Sequence, residues 1–479
     1  MRWSPGRSRL AAAFVAGLLA VLLPVAPVAA QPSAAPNAPD GMAKPPPLDP
    51  NYPVPTDDGQ PDLTYERKAC GGVSTSTVVL PNKPWGQTAL RFDDLHKFAT
   101  GKGQSVAVID TGVSPHDFLK RLVGGGDYVT NAQGLEDCDG HGTEVAGIIA
   151  ASPPAGGDIG FKGIAPDATI VSIRQSSGAY EGTEPNGRTR AAGTLETLAK
   201  AIMRAADRVP HGVINMSVDS CRLASLGPIT KPEKQVQAAL RYAVDQQDVV
   251  PVASAGNLNE GGCPNQNNGP DASRPTSIVI PPWFSDDVIS VAAMDRYGDP
   301  AKFSVQGPWV SVAAPGTEIT SLDPFNRQTL TNRSGPVGKQ TEIQGTSFAA
   351  PYVAGLAALI RERFKDRPLT ARQVMNRIRV TASHPAATGG RDTLVGYGMI
   401  NPIGALTAMV PSEQNIAPDA PIKLDSPMGA PVSRDWTPMR VALIGALGGV
   451  ALLLLTLFVV HTVRRNRREP GLPDASRGW

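Results

Sequence analysis

The sequence predicts an α/β domain, built on a mostly parallel sheet flanked by helices and followed by one C-terminal transmembrane helix. Three observations carry this. Between residues 101 and 409, short β-branched apolar runs alternate with segments of helical periodicity, the pattern of a parallel sheet covered on both faces. Residues 441–460, VALIGALGGVALLLLTLFVV, hold no charge over twenty positions, about 30 Å of helix, or one hydrocarbon core. The stretches ahead of the domain and between it and that span are rich in proline, which suits extended connectors.

In chain order, Arg2, Arg7 and Arg9 precede an apolar run over residues 10–28, and Val28-Ala29-Ala30 closes it before Gln31. This is the pattern of an export signal over residues 1–30. An uncleaved anchor helix is the alternative, and Pro24, Pro27 and the small-residue end favour cleavage. Ten prolines in residues 31–64 mark a Pro-rich N-terminal extension, 31–78. The main domain is read as 79–408. Six prolines make 409–438 a semi-rigid spacer. The span is read as 439–461, and Arg464, Arg465, Arg467 and Arg468 put the basic tail, 462–479, in the cytoplasm. Trp436 suits the outer interface. Gly445 and Gly449 form a GxxxG, a helix-packing motif, although glycine is common in membrane helices. The net charge of +2 over 479 residues gives no reason to expect a nucleic-acid partner. The four cysteines, Cys70, Cys138, Cys221 and Cys263, read as two disulfides in an exported body. Three pairings are open, and residues alone do not choose among them.

Within the domain, strand patterns fall at 105–109, 169–173, 213–218, 249–253 and 288–292. Helical patterns fall at about 143–151, 193–208, 233–246, 347–364 and 370–382. Sites on open parallel sheets form at the carboxyl ends of strands. Asp110 ends the first strand in VAVIDTGV, where a lone Asp is also a common turn residue. His141 opens a helix whose early neighbours Gly142, Ala146 and Gly147 are small; alone it reads as a capping or core histidine. Ser347 starts the apolar helix of GTSFAAPYVAGLAALI, where serine is also a preferred N-cap. Pro351 is placed in or near the first turn of that helix, where it is tolerated. The acids, cysteine and histidine of EDCDGHGT invite a metal reading, but no CxxC or HExxH accompanies them. No metal and no cofactor are predicted.

Asp110, His141 and Ser347 follow one another in the order of a subtilisin triad. The segments VAVIDTGV, GHGTEVAG and GTSFAAPYVAG resemble the three catalytic boxes of subtilisin-family serine proteases. GIAPDATIVSIR, GVINMSV, PVASAGN, VISVAAMD, FSVQGPWVSVAAPGTEI and GYGMINPIGAL resemble that family's connecting strands and turns, in order, over about three hundred residues. The resemblance implies a subtilisin-like three-layer fold and a serine endopeptidase. It implies Ser347 as nucleophile, His141 as general base and Asp110 as the group that orients the imidazole. Asn257 matches the oxyanion-hole asparagine. Ser217, Val218, Asp219 and Ala253, Ser254, Ala255 match the walls of the pocket for the residue before the cut. The region after Arg174 matches the strand that pairs with an extended peptide. Asp219 suits a basic or polar side chain nearby and equally suits plain solvation. Many relatives carry a second histidine where Glu144 stands, and many bind calcium, for which the acidic residues here show no loop pattern.

Residues 31–100 are too few and too rich in proline for the folded inhibitory pro-domain of most secreted relatives, so an extension that stays attached along the domain is expected. With the cysteines, the C-terminal helix and the Arg-rich tail, this resembles the mycosins, membrane-anchored subtilases of mycobacterial type VII secretion. That likeness implies protein substrates exported by type VII secretion, a secretion membrane complex as partner, and a single-pass cell-membrane protein with an extracytoplasmic catalytic domain. Family topology, in which the strands before Cys221 and Cys263 are neighbours, implies the pairs Cys221–Cys263 and Cys70–Cys138. Two other readings stand beside the protease: a mainly structural subunit stabilising the secretion complex with dispensable proteolysis, and a general degradative protease of the cell wall.

Overall fold

The central sheet has seven strands, all parallel, where the apolar runs alone indicate five. The structure, a computed structural model, describes residues 42–70, 76–154, 156–258, 263–335, 339–414, 416 and 436–466. The expected export signal, the first part of the extension, most of the spacer and the tail beyond 466 lie outside them. The chain divides into two units, Met1–Ile416 and Ala417–Trp479.

The first unit begins with β1 (Tyr65–Arg67), the short helices α1 (Trp85–Ala89) and α2 (Phe92–Leu95), then β2 (Ser105–Asp110) and β3 (Leu122–Asp127). Next come α3 (His141–Ala150), β4 (Thr169–Arg174), the hairpin β5 (Ser177–Thr183) and β6 (Thr189–Ala192), and α4 (Leu195–Arg208). There follow β7 (Val213–Met216), β8 (Ser220–Leu223), α5 (Lys231–Asp245), β9 (Val250–Ser254), β10 (Ser277–Ile280), β11 (Ile289–Met294), β12 (Val310–Pro315), and the two-residue strands β13 (Ser321–Leu322) and β14 (Leu330–Thr331). The long helix α6 (Thr346–Arg363), α7 (Ala371–Val380) and α8 (Pro402–Thr407) close it. The sheet order is β12-β11-β9-β7-β2-β4-β3.

Two cores flank the sheet. Val106 and Val108 pack with α3 and α6 on one face; Ala107 and Ile109 pack with α4 and α5 on the other. Both faces of β2 are therefore apolar, as a buried parallel strand requires. Among the described residues, three helix starts carry a full capping box. Thr194, Thr230 and Thr370 each form a capping box at the start of α4, α5 and α7, each worth about 1 kcal/mol.

The extension lies along the α4–α5 side. Trp283 Nε1 donates to Met42 O at 3.0 Å and Gln237 Nε2 to Pro46 O at 3.1 Å. Asp57 accepts from Tyr128 and Arg204, and Asp62 from Arg190 and Thr194. It then pairs as β1, antiparallel to β5, and its Cys70 is bonded to Cys138. Cys221 is bonded to Cys263. The second unit is described as one helix, α9 (Thr437–Asn466). Residues Thr437–Arg465 of it are long and apolar enough to cross a membrane.

Candidate active site

Strand parity decides where Asp110 points. It shares the alternation of Val106 and Val108, so its carboxyl faces the α3–α6 layer. β2 sits between β4 and β7, the point where the winding of the sheet changes direction and a crevice opens at the strand ends. Asp110 is fully buried there.

His141 is the first residue of α3. Asp137, four residues earlier, organises the turn that presents it. Its Oδ1 accepts from Gly140 N and Thr111 Oγ1, each at 2.8 Å; its Oδ2 accepts from Thr143 N at 2.8 Å and Thr143 Oγ1 at 2.6 Å. Thr111 Oγ1 in turn accepts from Gly142 N at 3.0 Å. One carboxylate thus joins the turn after β2 to the first turn of α3 and takes the N–H of Thr143, one of that turn's orphan donors. Burial pushes the Asp137 carboxyl up, against these hydrogen bonds. Gly142 permits the approach, since a Cβ there would come within 2.0 Å of Gly112 O. Asp139 anchors the same loop to β5 by accepting from Ser177 Oγ, Gly178 N and Ala179 N.

His141 Nδ1 lies 2.7 Å from Asp110 Oδ1 and Nε2 lies 2.9 Å from Ser347 Oγ. The Phe348 ring backs the imidazole at 5.0 Å between centroids. Burial works to lower the imidazolium, but the charge and hydrogen bond of Asp110 outweigh it and push His141 up to about 9.

Ser347 is the second residue of α6, not its cap; Gly345 holds the cap position at φ 154°. A Cβ on Gly345 would meet Ser347 Oγ at 3.0 Å and Phe348 at 3.4 Å. Pro351 is the sixth residue of the helix, just past its first turn. It has no N–H to give the carbonyl of Ser347, its i−4 partner. Ser217 Oγ donates to that carbonyl instead, at 2.6 Å, and accepts from Asn215 Nδ2 at 2.9 Å. Asn257 Oδ1 accepts from Thr346 N and Oγ1, both at 3.0 Å. Its Nδ2 thereby turns to the Gly345–Ser347 corner, 3.5 Å from where a Gly345 Cβ would stand. The Ser347 N–H belongs to the first helical turn, whose donors have no intrahelical acceptor.

Beside this constellation lies a groove of about 300 Å³. Val218 and Asp219 line it with Gln175, Thr194, Leu195 and Leu198; none of its lining residues comes from 42–70. Ala253, Ser254 and Ala255 are fully buried at the end of β9, beside β7 through the pair Met216–Ala253. Ser254 Oγ donates to Asp219 Oδ2 at 3.4 Å, so the Asp219 carboxylate has a protein partner as well as a face on the groove. The Ser217 hydroxyl is committed to Ser347 rather than to the groove. Sequence reasoning gave Asp137 and Asp139 no role. Their spacing, four and two residues before a helix-opening His, was the available signal for capping. Among the described residues, no group of three or more His, Cys, Asp or Glu is placed to hold a metal.

Residues 101–398 match the model of the Subtilase family. Over 433 residues the chain is 41% identical to Mycosin-4 of Mycobacterium tuberculosis, covering 89% of this chain and 92% of that relative. It superposes on the solved structure of MycP1, a serine protease described as an essential component of the type VII (ESX-1) secretion system. That match has a TM-score of 0.68 and 40% identity, over 76% of this chain and 100% of the other. A chain of an intact ESX-5 inner membrane complex matches with a TM-score of 0.70 and 36% identity, over 88% of this chain and 100% of the other.

Proposed function

The chain belongs to the subtilase family of serine proteases, and we propose that Asp110, His141 and Ser347 are its catalytic triad and Asn257 its oxyanion donor. The observation that carries this is the unbroken hydrogen-bonded line from Asp110 Oδ1 through both imidazole nitrogens to Ser347 Oγ.

Ser347 Oγ attacks the scissile carbonyl while His141 Nε2 takes its proton. Asp110 holds Nδ1–H, fixing the tautomer and stabilising the imidazolium. The carbonyl oxygen, now negative, accepts from Asn257 Nδ2 and the Ser347 N–H. In subtilisin itself, the enzyme for which the value is known, loss of such a donor costs about 10²–10³ in kcat. His141 then protonates the leaving amine, and a water deprotonated by His141 releases the acyl group from Ser347. The peptide ahead of the cut lies along the groove of Val218 and Asp219.

The substrates are exported proteins, and the partner is a type VII secretion membrane complex. Likeness to a chain of the ESX-5 inner membrane complex supports that partner. The span of 439–461 anchors the protein in the cell membrane. The peptidase domain, 79–408, with its attached extension, 31–78, and spacer, 409–438, lies outside, and the tail of 462–479 lies in the cytoplasm. Arg464 and Arg465 at the end of the helix support that orientation. A mainly structural role is less well supported, because a scaffold needs no aligned nucleophile and base. Ser347→Ala in the producing cell separates the two. Loss of substrate processing with the protein still present supports proteolysis; secretion and processing unchanged by Ser347→Ala, yet lost on deletion, would sink it.

A further inference from the structure

Glu144 is the one ionisable residue of α3 besides His141. It stands one turn after His141, at i+3, where two helix side chains share a face. It is 2% exposed, and its Oε1 has no hydrogen-bond partner among the described residues. A buried carboxyl without a partner is unusual and expensive, and such groups concentrate where ionisation is used. Nothing in the mechanism above uses it.

We propose that Glu144 is a positioning residue for the hydrolysis, a buried carboxyl that sets the proton affinity of His141 from one turn along the same helix. The proposal rests on His141 being the general base.

The elements packed on α3 bring Asp110 from the end of β2, Asp137 from the preceding loop and Asp323 from the loop after β13. β4 brings Arg174, already held by Asp127 and Glu136. Ahead of Arg361, α6 brings Tyr352 alone. Three carboxyls and one imidazole therefore dominate the surroundings of Glu144. Burial keeps its proton on, pushing it up to about 8; the His141 cation opposes this, and Asp137, Asp110 and Asp323 reinforce it. Glu144 and His141 titrate as a coupled pair. Each charge favours the other across one helix turn, so an ionised Glu144 holds the imidazolium. Neutral His141, the working base, appears only as the second proton leaves. Removing the carboxyl must lower the pH at which His141 becomes a base.

The test is kcat/KM for a fluorogenic peptide against pH, using the full chain in detergent as wild type, Glu144→Gln and Glu144→Asp. In the Gln variant the acidic limb is expected about one pH unit lower and to collect one proton instead of two. The Asp variant keeps a carboxyl and is expected to lie between. A Glu144→Gln limb that superimposes on the wild type, or moves to higher pH, overturns the proposal. Should Glu144→Gln not fold, the His141 ring is followed by NMR in Ser347→Ala, with and without Glu144→Asp. A lower His141 midpoint with Asp supports the proposal, and identical titrations overturn it. Turnover surviving in Ser347→Ala would sink the triad reading separately, since the ring titration needs no activity.

Discussion

Ser217 Oγ lies 2.6 Å from the main-chain oxygen of Ser347, and Pro351 makes that contact necessary. A proline at i+4 leaves the carbonyl of the candidate nucleophile without its helical donor. The site is buried, so the missing bond is not replaced by bulk water. Ser217→Ala is expected to cost about 1–3 kcal/mol of unfolding free energy. It should lower kcat by up to about 10²-fold as Ser347 shifts. Adding Pro351→Ala returns an N–H to the same oxygen and should recover part of the stability. Denaturant midpoints of wild type, single and double variants check this. A double variant no more stable than Ser217→Ala would refute the link.

The loop before His141 is fixed twice, by the hydrogen bonds of Asp137 and Asp139 and by the Cys70–Cys138 bond. Four hydrogen bonds run from Asp137 to the two turns carrying Asp110 and His141. The disulfide ties that loop to the extension. Asp137→Ala should therefore lower kcat by about 10–10²-fold. Replacing both Cys70 and Cys138 by serine should cost about 2–4 kcal/mol of stability with a far smaller loss of kcat. Peptide turnover and chemical denaturation of both variants decide it; a larger kcat loss in the cysteine variant would assign the positioning to the disulfide.

Arg174 and Asp127 form an ion pair with side chains 1% and 0% exposed. Burial works to raise Asp127, but the hydrogen bond and charge of Arg174, with the N–H groups of Thr130 and Val129, hold it below the usual carboxylate range. A folded value below the unfolded one gives stability that is present above the unfolded pKa, about 3.9, and lost as pH falls through the folded value. Asp127→Asn removes the charge paired with Arg174 and leaves the guanidinium its Glu136 contact at 3.3 Å and Thr130; it is expected to cost about 1–3 kcal/mol at neutral pH. The deficit should shrink on acidification below about pH 4, as read from denaturant midpoints.

His141 carries the opposite sign. Its folded value, raised to about 9, lies above the imidazole reference of about 6.5. The Asp110–His141 contact therefore stabilises the fold fully below about pH 6.5, and that contribution is lost as pH rises through about 9. Catalysis needs the neutral ring, so kcat/KM should rise with pH, with a midpoint alkaline of the imidazole reference. The pH–rate profile and the pH dependence of thermal unfolding test both halves. A rate that falls through that range contradicts the assignment.

Much of this was legible in the residues because two periodicities were clean. Five β-branched runs mark the inner strands, and the boxes around Asp110, His141 and Ser347 stand at strand ends and helix starts. β3 was not legible, because Gly124, Gly125 and Gly126 hide an edge strand behind poor β propensity. β1 was hidden too, three residues whose strand character exists only because β5 offers an edge. The partner of the Ser347 carbonyl could not be read either. Ser217 and Ser347 are 130 positions apart and meet only after α6 packs across the end of β7. Asp137 and Asp139 carry no assignable role in the sequence, since spacing does not reveal which backbone N–H groups their oxygens meet.

The most direct measurement is covalent labelling of the full-length protein with a serine-directed fluorophosphonate, followed by peptide mapping, alongside peptide turnover. The account predicts an adduct on Ser347 that forms in parallel with loss of turnover. It predicts no adduct and no turnover in Ser347→Ala, and slow labelling in His141→Ala. Turnover persisting in Ser347→Ala, or an adduct on another serine that accounts for the lost activity, would contradict it.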